Sequence, residues 1–373
     1  TVIAHRMDGI ARGTACAVLL AGRTPTEDIL LPEAAAQFSL RKGSSKEDYP
    51  SSLMGSIALL RQTLYDAQWY AEQGHQQQSD ADLRALHAQL GLPLVIEASN
   101  RNDVLRIASI GREFGLRFIV KGAGDEYARL GDVLATGQPL IIPMSLPEAY
   151  DVEDPFDALD VSLAKLKHWE LAPTNPARIA EAGGTFAFTG HGLKDIGGMW
   201  ASLRRMMRCG LDSATAIAAL TTVPAKLFHL EGKVGTIETG AQANFLITSH
   251  HLLNEKNVIY ETWVSGVRYA QKPIPEDDPR GTFDLNLRSS ILKLKVTGEV
   301  DKPEAEVSVP GNEMKRVKAQ LDVVRGTVTL VLEGEPFGFA GPVRLNGNIH
   351  PRGAIWDGRG LMPGGEWITW SAV

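Results

Sequence analysis

Short apolar runs alternate with longer amphipathic stretches up to about residue 270. The apolar runs predict strands at residues 15–20, 94–96, 118–120, 139–143 and 185–188. The amphipathic stretches predict helices at residues 51–72, 79–91, 103–114, 127–136, 157–169, 197–208 and 213–220. Because strands that are apolar on both faces need cover on both sides, this order is typical of a parallel sheet packed against helices. The pattern predicts an α/β barrel or a doubly wound sheet.

The pattern changes after Gly232. β-branched residues, glycine and proline become frequent, and alternating stretches such as residues 328–332 predict antiparallel strands. Residues 271–280 contain three prolines and several carboxylates, which is typical of a linker. We therefore expect a separate β-rich C-terminal domain at residues 281–373.

The composition excludes several classes of protein. The chain has 373 residues, of which 44% are hydrophobic and 22% charged, as in ordinary globular proteins. The net charge of −6, without a run of Lys or Arg, argues against nucleic acid as a partner. Two distant cysteines exclude a disulfide scaffold and a Cys-rich zinc site. The apolar stretch at residues 15–21 is far shorter than the roughly 20 residues that cross a bilayer, so no membrane span is expected.

Strong catalytic motifs are missing from the sequence, which contains no phosphate-binding loop, HExxH, GxSxG or HxH. Residues 122–125 resemble half of a dinucleotide-binding loop but lack its third glycine. Candidate polar residues instead follow three predicted strands: Glu97, Ser99, Asn100 and Arg101, then Lys121, Asp125 and Glu126, then His191, Lys194 and Asp195. A barrel would bring these clusters together at one mouth. Any single polar residue after a strand is more often only solvated, so the prediction depends on the constellation.

Several phrases resemble the end of an amidohydrolase-superfamily protein, most closely the imidazolonepropionase-related group. They are residues 183–191, 211–220, 221–227 and 232–245, where Asn244 stands in place of the usual Asp. Residues 8–14 and 49–55 also resemble a subgroup in which two amidohydrolase-like units occur in tandem. The resemblance extends to about residue 270.

The resemblance implies a TIM-like (β/α) barrel portion at residues 1–232, apparently without its first strand, and a small β-sandwich segment at residues 233–275. An incomplete barrel has open edges, so we expect this chain to be part of a longer polypeptide or to associate with a tandem amidohydrolase unit. Family members hydrolyse C–N bonds other than peptide bonds, with metal ions held by His, Lys or Glu, and Asp at the barrel mouth.

The family's ligand positions are substituted in this sequence. By strand order, Glu97 occupies the fifth-strand His position, Lys121 the sixth-strand His position, and His191 follows the eighth-strand phrase that normally carries Asp. A protonated lysine has no acceptor and repels a metal ion, so no metal ligands and no cofactor are expected. Glu97 and Lys121 are instead expected to form an ion pair on neighbouring strands.

Three functional hypotheses remain open at this point. The favoured one is a non-catalytic or structural unit of a larger hydrolase. The second is a working hydrolase of cyclic amides or similar small molecules, with zinc or a metal-free site, in which His191, Asp195 and Glu97 are the catalytic candidates. Its substrate pocket would contain Lys121, Asn100, Arg101 and Lys194. The third is a sugar-binding domain in which Trp356, Trp367 and Trp370 stack on the ligand, although core packing is the commoner role for such residues.

Overall fold

The chain folds into two compact units, Thr1–Gln271 and Lys272–Val373. The computed structural model describes residues 2–74, 79–272, 278–288, 290–300, 302–324, 326–350 and 355–373. No helix in these ranges is both long and apolar enough to cross a membrane. Each unit is described separately below.

The first unit is built on a seven-stranded sheet whose strands follow in chain order. The strands are β1 Val2–Ala4, β2 Ala11–Val18, β3 Ile29–Ser39, β4 Leu94–Glu97, β5 Phe118–Lys121, β6 Leu140–Pro143 and β7 Phe186–Thr189. β2 pairs antiparallel with both β1 and β3, whereas β3 to β7 are parallel. The sequence analysis missed β3, which contains Pro32, Glu33 and three alanines, residues with low strand propensity.

Helices connect the parallel strands, as the sequence predicts. The α-helices are α1 Pro25–Asp28, α2 Leu53–Trp69, α3 Ala81–Gln89, α4 Arg101–Phe114, α5 Leu130–Ala135, α6 Pro155–Asp160, α7 Leu163–Leu171, α8 Asn175–Glu181, α9 Met199–Arg208, α10 Ser213–Leu220 and α11 Thr222–Leu227. Shorter 3-10 turns lie at Glu126–Arg129, Ala172–Thr174 and Ile196–Gly198, and a π-helical turn lies at Tyr70–Gly74.

Both faces of the sheet are buried, which explains the continuous apolar runs in the sequence. Alternate residues of a strand point to opposite faces, so Leu94 and Ile96 pack in one hydrophobic core while Val95 packs in another. The first core contains side chains of α2, α3, α4, α9 and α10. The second core, which we call the inner core, is closed by Ala225 of α11 and by Phe228 and Leu230 after it. The α/β class predicted from the sequence is confirmed.

A small antiparallel sheet follows α11 within the same unit, in the order β10–β9–β8. Its strands are β8 Phe245–Thr248, β9 Ile259–Val264 and β10 Val267–Ala270. The Tyr269 hydroxyl donates a hydrogen bond to the carbonyl oxygen of Ala21, which links this sheet to the chain after β2. The predicted division between a barrel portion and a sandwich segment at residue 232 stays a prediction.

The second unit is a closed antiparallel barrel of eight strands, which confirms the β-rich C-terminal region. The strands are β11 Gly281–Leu287, β12 Ser290–Glu299, β13 Lys302–Val309, β14 Asn312–Val324, β15 Thr327–Leu332, β16 Val343–Ile349, β17 Trp356–Leu361 and β18 Trp367–Ala372. Each strand pairs with the next, and β18 pairs with β11 to close the barrel.

The three tryptophans proposed as a sugar-stacking surface do not share one surface. Trp356 and Trp370 are buried in the core of the second unit, and Trp367 is 64% exposed. The Trp356 ring packs against Phe283, with ring centroids 4.9 Å apart. The stacking hypothesis was wrong for Trp356 and Trp370, because alternation along β17 and β18 turns both side chains inward.

Candidate functional site

Two adjacent parallel strands end in residues of opposite charge. Glu97 is the last residue of β4, Lys121 is the last residue of β5, and the strand register pairs the two residues directly. The Lys121 ammonium nitrogen lies 3.3 Å from Oε1 of Glu97, and the lysine side chain is only 10% exposed. The ion pair expected from the sequence is therefore present in the fold.

A second cation completes this site. Arg12, on the antiparallel strand β2, donates from Nη1 to Oε2 of Glu97 over 2.8 Å, and its side chain is 7% exposed. Its Nε atom also donates to the carbonyl oxygen of Gly9 over 3.1 Å. We call Arg12, Glu97 and Lys121 the mouth cluster. It holds two positive charges against one carboxylate, and each carboxylate oxygen has its own cationic partner.

The cations control the titration of Glu97. Burial alone would raise the pKa of this carboxyl, but the charge of Lys121 and the hydrogen bond from Arg12 outweigh burial, so the pKa lies below its usual value. Burial lowers the pKa of the Lys121 ammonium, and Glu97 opposes this effect. The carboxylate form of Glu97 is thus the form that the fold stabilises.

His191 lies near the mouth cluster, two residues after β7. Its backbone N–H donates to the Thr189 hydroxyl over 3.2 Å. Burial and the positive charge of Lys121 lower the pKa of the imidazole below its usual value, which favours the neutral form at neutral pH. A neutral imidazole can accept a proton, so the chemistry of a general base is available at this position.

The remaining candidates have other partners. Asn100 caps α4, because its side-chain oxygen accepts hydrogen bonds from the first turn of that helix. Arg101 pairs with Asp125 over 2.7 Å, and Lys194 pairs with Glu148 on the surface over 2.6 Å. Asp195 is exposed. The assignment of Asn100, Arg101, Lys194 and Asp195 to a pocket or a catalytic site stays a prediction.

A cavity of about 740 Å³ lies beside Lys121 and His191. The two edge strands of the sheet, β1 and β7, both contribute to its wall, which shows how far the sheet curls. Its polar lining residues are His5, Gln37, Lys121, Thr189, His191, Thr221 and Asn244. Most of the remaining wall is apolar and includes Val95, Ile141 and Phe228 of the inner core.

The loop after β5 is organised around a buried carboxyl group. Glu126 is fully buried, and its Oε1 atom accepts from the backbone N–H of Ala123 over 2.9 Å and of Gly124 over 3.2 Å. Its Oε2 atom accepts from Nδ2 of Asn175 over 2.6 Å. Burial raises the pKa of this carboxyl. The backbone N–H groups of Ala123 and Gly124, in the segment that resembles half of a dinucleotide-binding loop, are therefore used inside the protein, and Glu126 is a structural residue.

Replacing Glu126 with glutamine is expected to destabilise the first unit by about 1–3 kcal/mol, the cost of leaving buried donors unpaired. Either orientation of the new amide places an N–H group against donors, because Asn175 Oδ1 already accepts from the backbone N–H of Tyr127. Urea unfolding followed by circular dichroism at 222 nm measures the effect. Glu181→Gln, at an exposed position, is the control and should change stability by less than about 0.5 kcal/mol. Equal stability of the two variants would contradict the role of Glu126.

The comparison with known families identifies the first unit. The model of the amidohydrolase family matches residues 70–269, which is more than half of the chain. The chain belongs to the amidohydrolase family. The family assignment made from the sequence is confirmed, whereas the imidazolonepropionase-related group and the tandem arrangement stay predictions.

One solved structure agrees with this family at the level of the fold. An amidohydrolase from Thermotoga maritima MSB8 is 19% identical and has a TM-score of 0.60, with 72% of each chain covered. A prolidase complexed with N-methylphosphonate-L-proline is 17% identical, with a TM-score of 0.38 over 52% of this chain and 50% of its own. No curated protein matches the sequence significantly. The predicted TIM-like barrel class is confirmed, although β1 and β7 do not pair to close the described sheet.

The mouth of this amidohydrolase-family unit does not fit the divalent metal that such proteins commonly use. No group of three or more His, Cys, Asp or Glu side chains could hold a metal ion within the described ranges. Both oxygens of Glu97 are engaged by Arg12 and Lys121, and these cations repel a divalent ion.

Proposed function

We propose that this chain contributes a non-catalytic amidohydrolase-like unit to a larger hydrolase. The observation that carries the proposal is the mouth cluster, in which Glu97 is held between Arg12 and Lys121 over 2.8 and 3.3 Å. The cluster lies at the carboxyl ends of parallel strands, where barrel enzymes assemble their sites. Internal cations here compensate the carboxylate that a metal ion would otherwise neutralise.

The energetics of the charges also supports the interpretation that the mouth cluster takes the place of a metal site. A divalent ion bound to Glu97 would have to displace at least one cation and then tolerate the other a few ångströms away. The displaced side chain would remain poorly solvated, since Arg12 and Lys121 are both largely buried. The cluster thus disfavours a divalent metal ion at Glu97.

The larger hydrolase in this proposal is the remainder of a longer polypeptide or a tandem amidohydrolase unit. Residues 8–14 and 49–55, which resemble the tandem subgroup, support this partner. Both segments lie in the first unit, before the region that the family model matches. A small-molecule substrate would then react on the partner unit.

A specific observation favours the second candidate function, a working hydrolase of C–N bonds. His191 has a lowered pKa and lines the 740 Å³ cavity together with Lys121. A neutral imidazole in a cavity of this size has the protonation state that a general base needs. In this candidate the site would act without a metal, or His191 would bind zinc with residues from elsewhere.

Metal content and turnover distinguish the two functions. The full chain is purified without chelator, dialysed against equimolar zinc, and analysed by plasma mass spectrometry and for hydrolysis of cyclic amides and dipeptides. If the proposed function is right, the chain does not hydrolyse these substrates, and any bound zinc does not depend on the residues of the mouth cluster. Stoichiometric zinc that is lost in Glu97→Gln, or turnover that is lost in His191→Ala, would overturn it. Lys167→Met, at an exposed position of α7, is the matched control variant.

A further inference from the structure

A second cavity, of about 680 Å³, lies at the amino ends of the parallel strands, opposite to the mouth cluster. Its wall contains the residues that directly precede β4, β5, β6 and β7, together with one side of α11. Pro224 and Ala225 of this helix line the 740 Å³ cavity instead, and no described residue lines both cavities. We call the second cavity the amino-end cavity. It is a separate space from the one beside the mouth cluster.

The titratable side chains in the wall of the amino-end cavity are all basic. They are Arg117, Lys226 and His229, and no Asp or Glu is among the lining residues that the structure describes. The whole chain has more acidic residues than Lys and Arg, 44 against 38, so composition does not account for this wall. A cavity lined by charges of one sign attracts small ions of the opposite sign.

The basic groups of this wall keep most of their hydrogen-bond donors free. A guanidinium group has five N–H donors, and within the described ranges Arg117 uses one of them, on the carbonyl oxygen of Gly137 over a long 3.5 Å. Neither Lys226 nor His229 has a side-chain hydrogen bond or an ion pair with another described residue. Helix carbonyls can hold cations, but this wall shows a single weak contact of that kind. The other donors are available to a ligand.

The backbone at His229 gives a second, independent indication of a ligand. Its φ is 54°, in the left-handed region, directly after the last turn of α11. The helix ends there with a hydrogen bond from the backbone N–H of Leu230 to the carbonyl oxygen of Ala225 over 2.8 Å. Glycine is usual at such a position, because a β-carbon is strained in this conformation. Strained residues are concentrated at binding sites, and this one lines the cavity.

The rest of the wall limits the class of ligand. Leu94, Ile119, Leu134, Val223 and Leu227 give it an apolar part, and its volume is typical of sites for small molecules. An inorganic anion would leave this apolar part unused. Two permanent cations favour a dianion over a monoanion. The planar guanidinium of arginine also matches two phosphate oxygens at once.

We infer that the amino-end cavity binds a phosphomonoester of a small apolar molecule, with the phosphate on Arg117, Lys226 and His229 and the apolar body against Ile119 and Leu227. A phosphomonoester has three free oxygens and nearly two negative charges at neutral pH, which suits three donor groups. The inference goes beyond the proposed function and does not depend on it, since the cavity contains no residue of the mouth cluster.

The test titrates the full chain at low salt with phenyl phosphate, inorganic phosphate and phenol, and measures affinity by calorimetry. Phenyl phosphate is expected to bind at least about tenfold more tightly than inorganic phosphate, because its ring covers the apolar part of the wall. It should exceed phenol by at least a similar factor because of its charge. Arg117→Gln and Lys226→Met should each weaken binding of phenyl phosphate about tenfold.

Two matched variants remove the same kinds of charge elsewhere in the first unit. Arg112→Gln lies on α4 and Lys233→Met follows α11, and both positions are exposed and outside the wall of the cavity. Both variants should bind phenyl phosphate like the parent. Losses equal to those in Arg117→Gln and Lys226→Met would show a general effect of net charge and would overturn the inference.

His229→Gly separates binding from stability. The variant removes the imidazole and the strain of the left-handed backbone, so it should raise the midpoint of urea unfolding while weakening phenyl phosphate binding several-fold. Loss of fold cannot produce this combination. Absence of saturable binding, or equal affinity for phenyl phosphate and phenol, would contradict the inference. Binding that is lost in Lys121→Met but kept in Lys226→Met would place the phosphate in the 740 Å³ cavity and would also overturn it.

Discussion

Glu97→Gln is expected to destabilise the first unit by about 3 kcal/mol, near the lower end of the range for breaking a buried ion pair. The variant leaves Arg12 and Lys121, both largely buried, without a counter-charge. The cost lies at the lower end because the Glu97 side chain is 29% exposed and water reaches part of it. Urea unfolding of the full chain, followed by circular dichroism at 222 nm, reports on the helices of this unit.

Two control variants separate the mouth cluster from ordinary ion pairs. Lys121→Met leaves a balanced pair of Arg12 and Glu97, so it should cost clearly less than Glu97→Gln. Asp132→Asn breaks an exposed pair with Arg129 and should cost less than about 1 kcal/mol. Similar losses in Glu97→Gln and Asp132→Asn would show that the cluster is solvated like a surface pair.

The effect of Glu97→Gln on the free energy of unfolding is also expected to depend on pH. The folded state lowers the pKa of Glu97, so its carboxylate stabilises the fold fully above the unfolded pKa of about 4.3. This contribution is lost as the pH falls through the lower pKa of the folded state. The stability difference between parent and Glu97→Gln should therefore be constant from pH 7 to about pH 5 and shrink below about pH 4. A difference that grows on acidification would have the wrong sign.

Trp356→Ala is expected to have the largest effect in the second unit, about 3–5 kcal/mol. Trp356 is fully buried in the barrel core and packs against Phe283, so truncation leaves a cavity in a closed structure that collapses only partly. Hydrogen exchange of peptides from β11 to β18 at increasing urea concentration measures the stability of this unit within the full chain.

Trp367→Ala is the matched control for this prediction. This variant also removes a tryptophan side chain, but from a position on β18 that is 64% exposed. It should lower the stability of the second unit by less than about 1 kcal/mol. Equal losses for the two tryptophans would mean that the barrel core does not depend on Trp356.

Most strands and helices of the first unit could be predicted because burial on both faces leaves apolar runs that are easy to recognise. β3 could not be predicted, because four of its six buried positions are three alanines and Gln37, residue types with low strand propensity or no apolar signal. In the second unit, the alternation of apolar and polar residues along the chain predicted antiparallel strands. Closure of the barrel depends on pairing between β11 and β18, whose residues are far apart in sequence.

The part of the candidate site that lies on two neighbouring parallel strands could be predicted from the sequence. Glu97 and Lys121 follow adjacent apolar runs, and parallel pairing then requires them to be neighbours. Arg12 was missed because it reaches Glu97 from an antiparallel strand that joins the sheet only through β3. Asn100, a pocket candidate, also had a local signal for its role as a helix cap, because an Asn three residues before Asp103 at the start of a predicted helix is a typical N-cap.

The closure of the second unit also removes the free edges of its sheet. β11 pairs with β18, and the backbone of Asp284 in β11 exchanges hydrogen bonds with that of Val373 beyond β18. Unpaired edge strands are the usual places where a sheet pairs with another chain. The ring of described strands in this unit therefore offers no edge for such pairing, which protects it from aggregation through its strands.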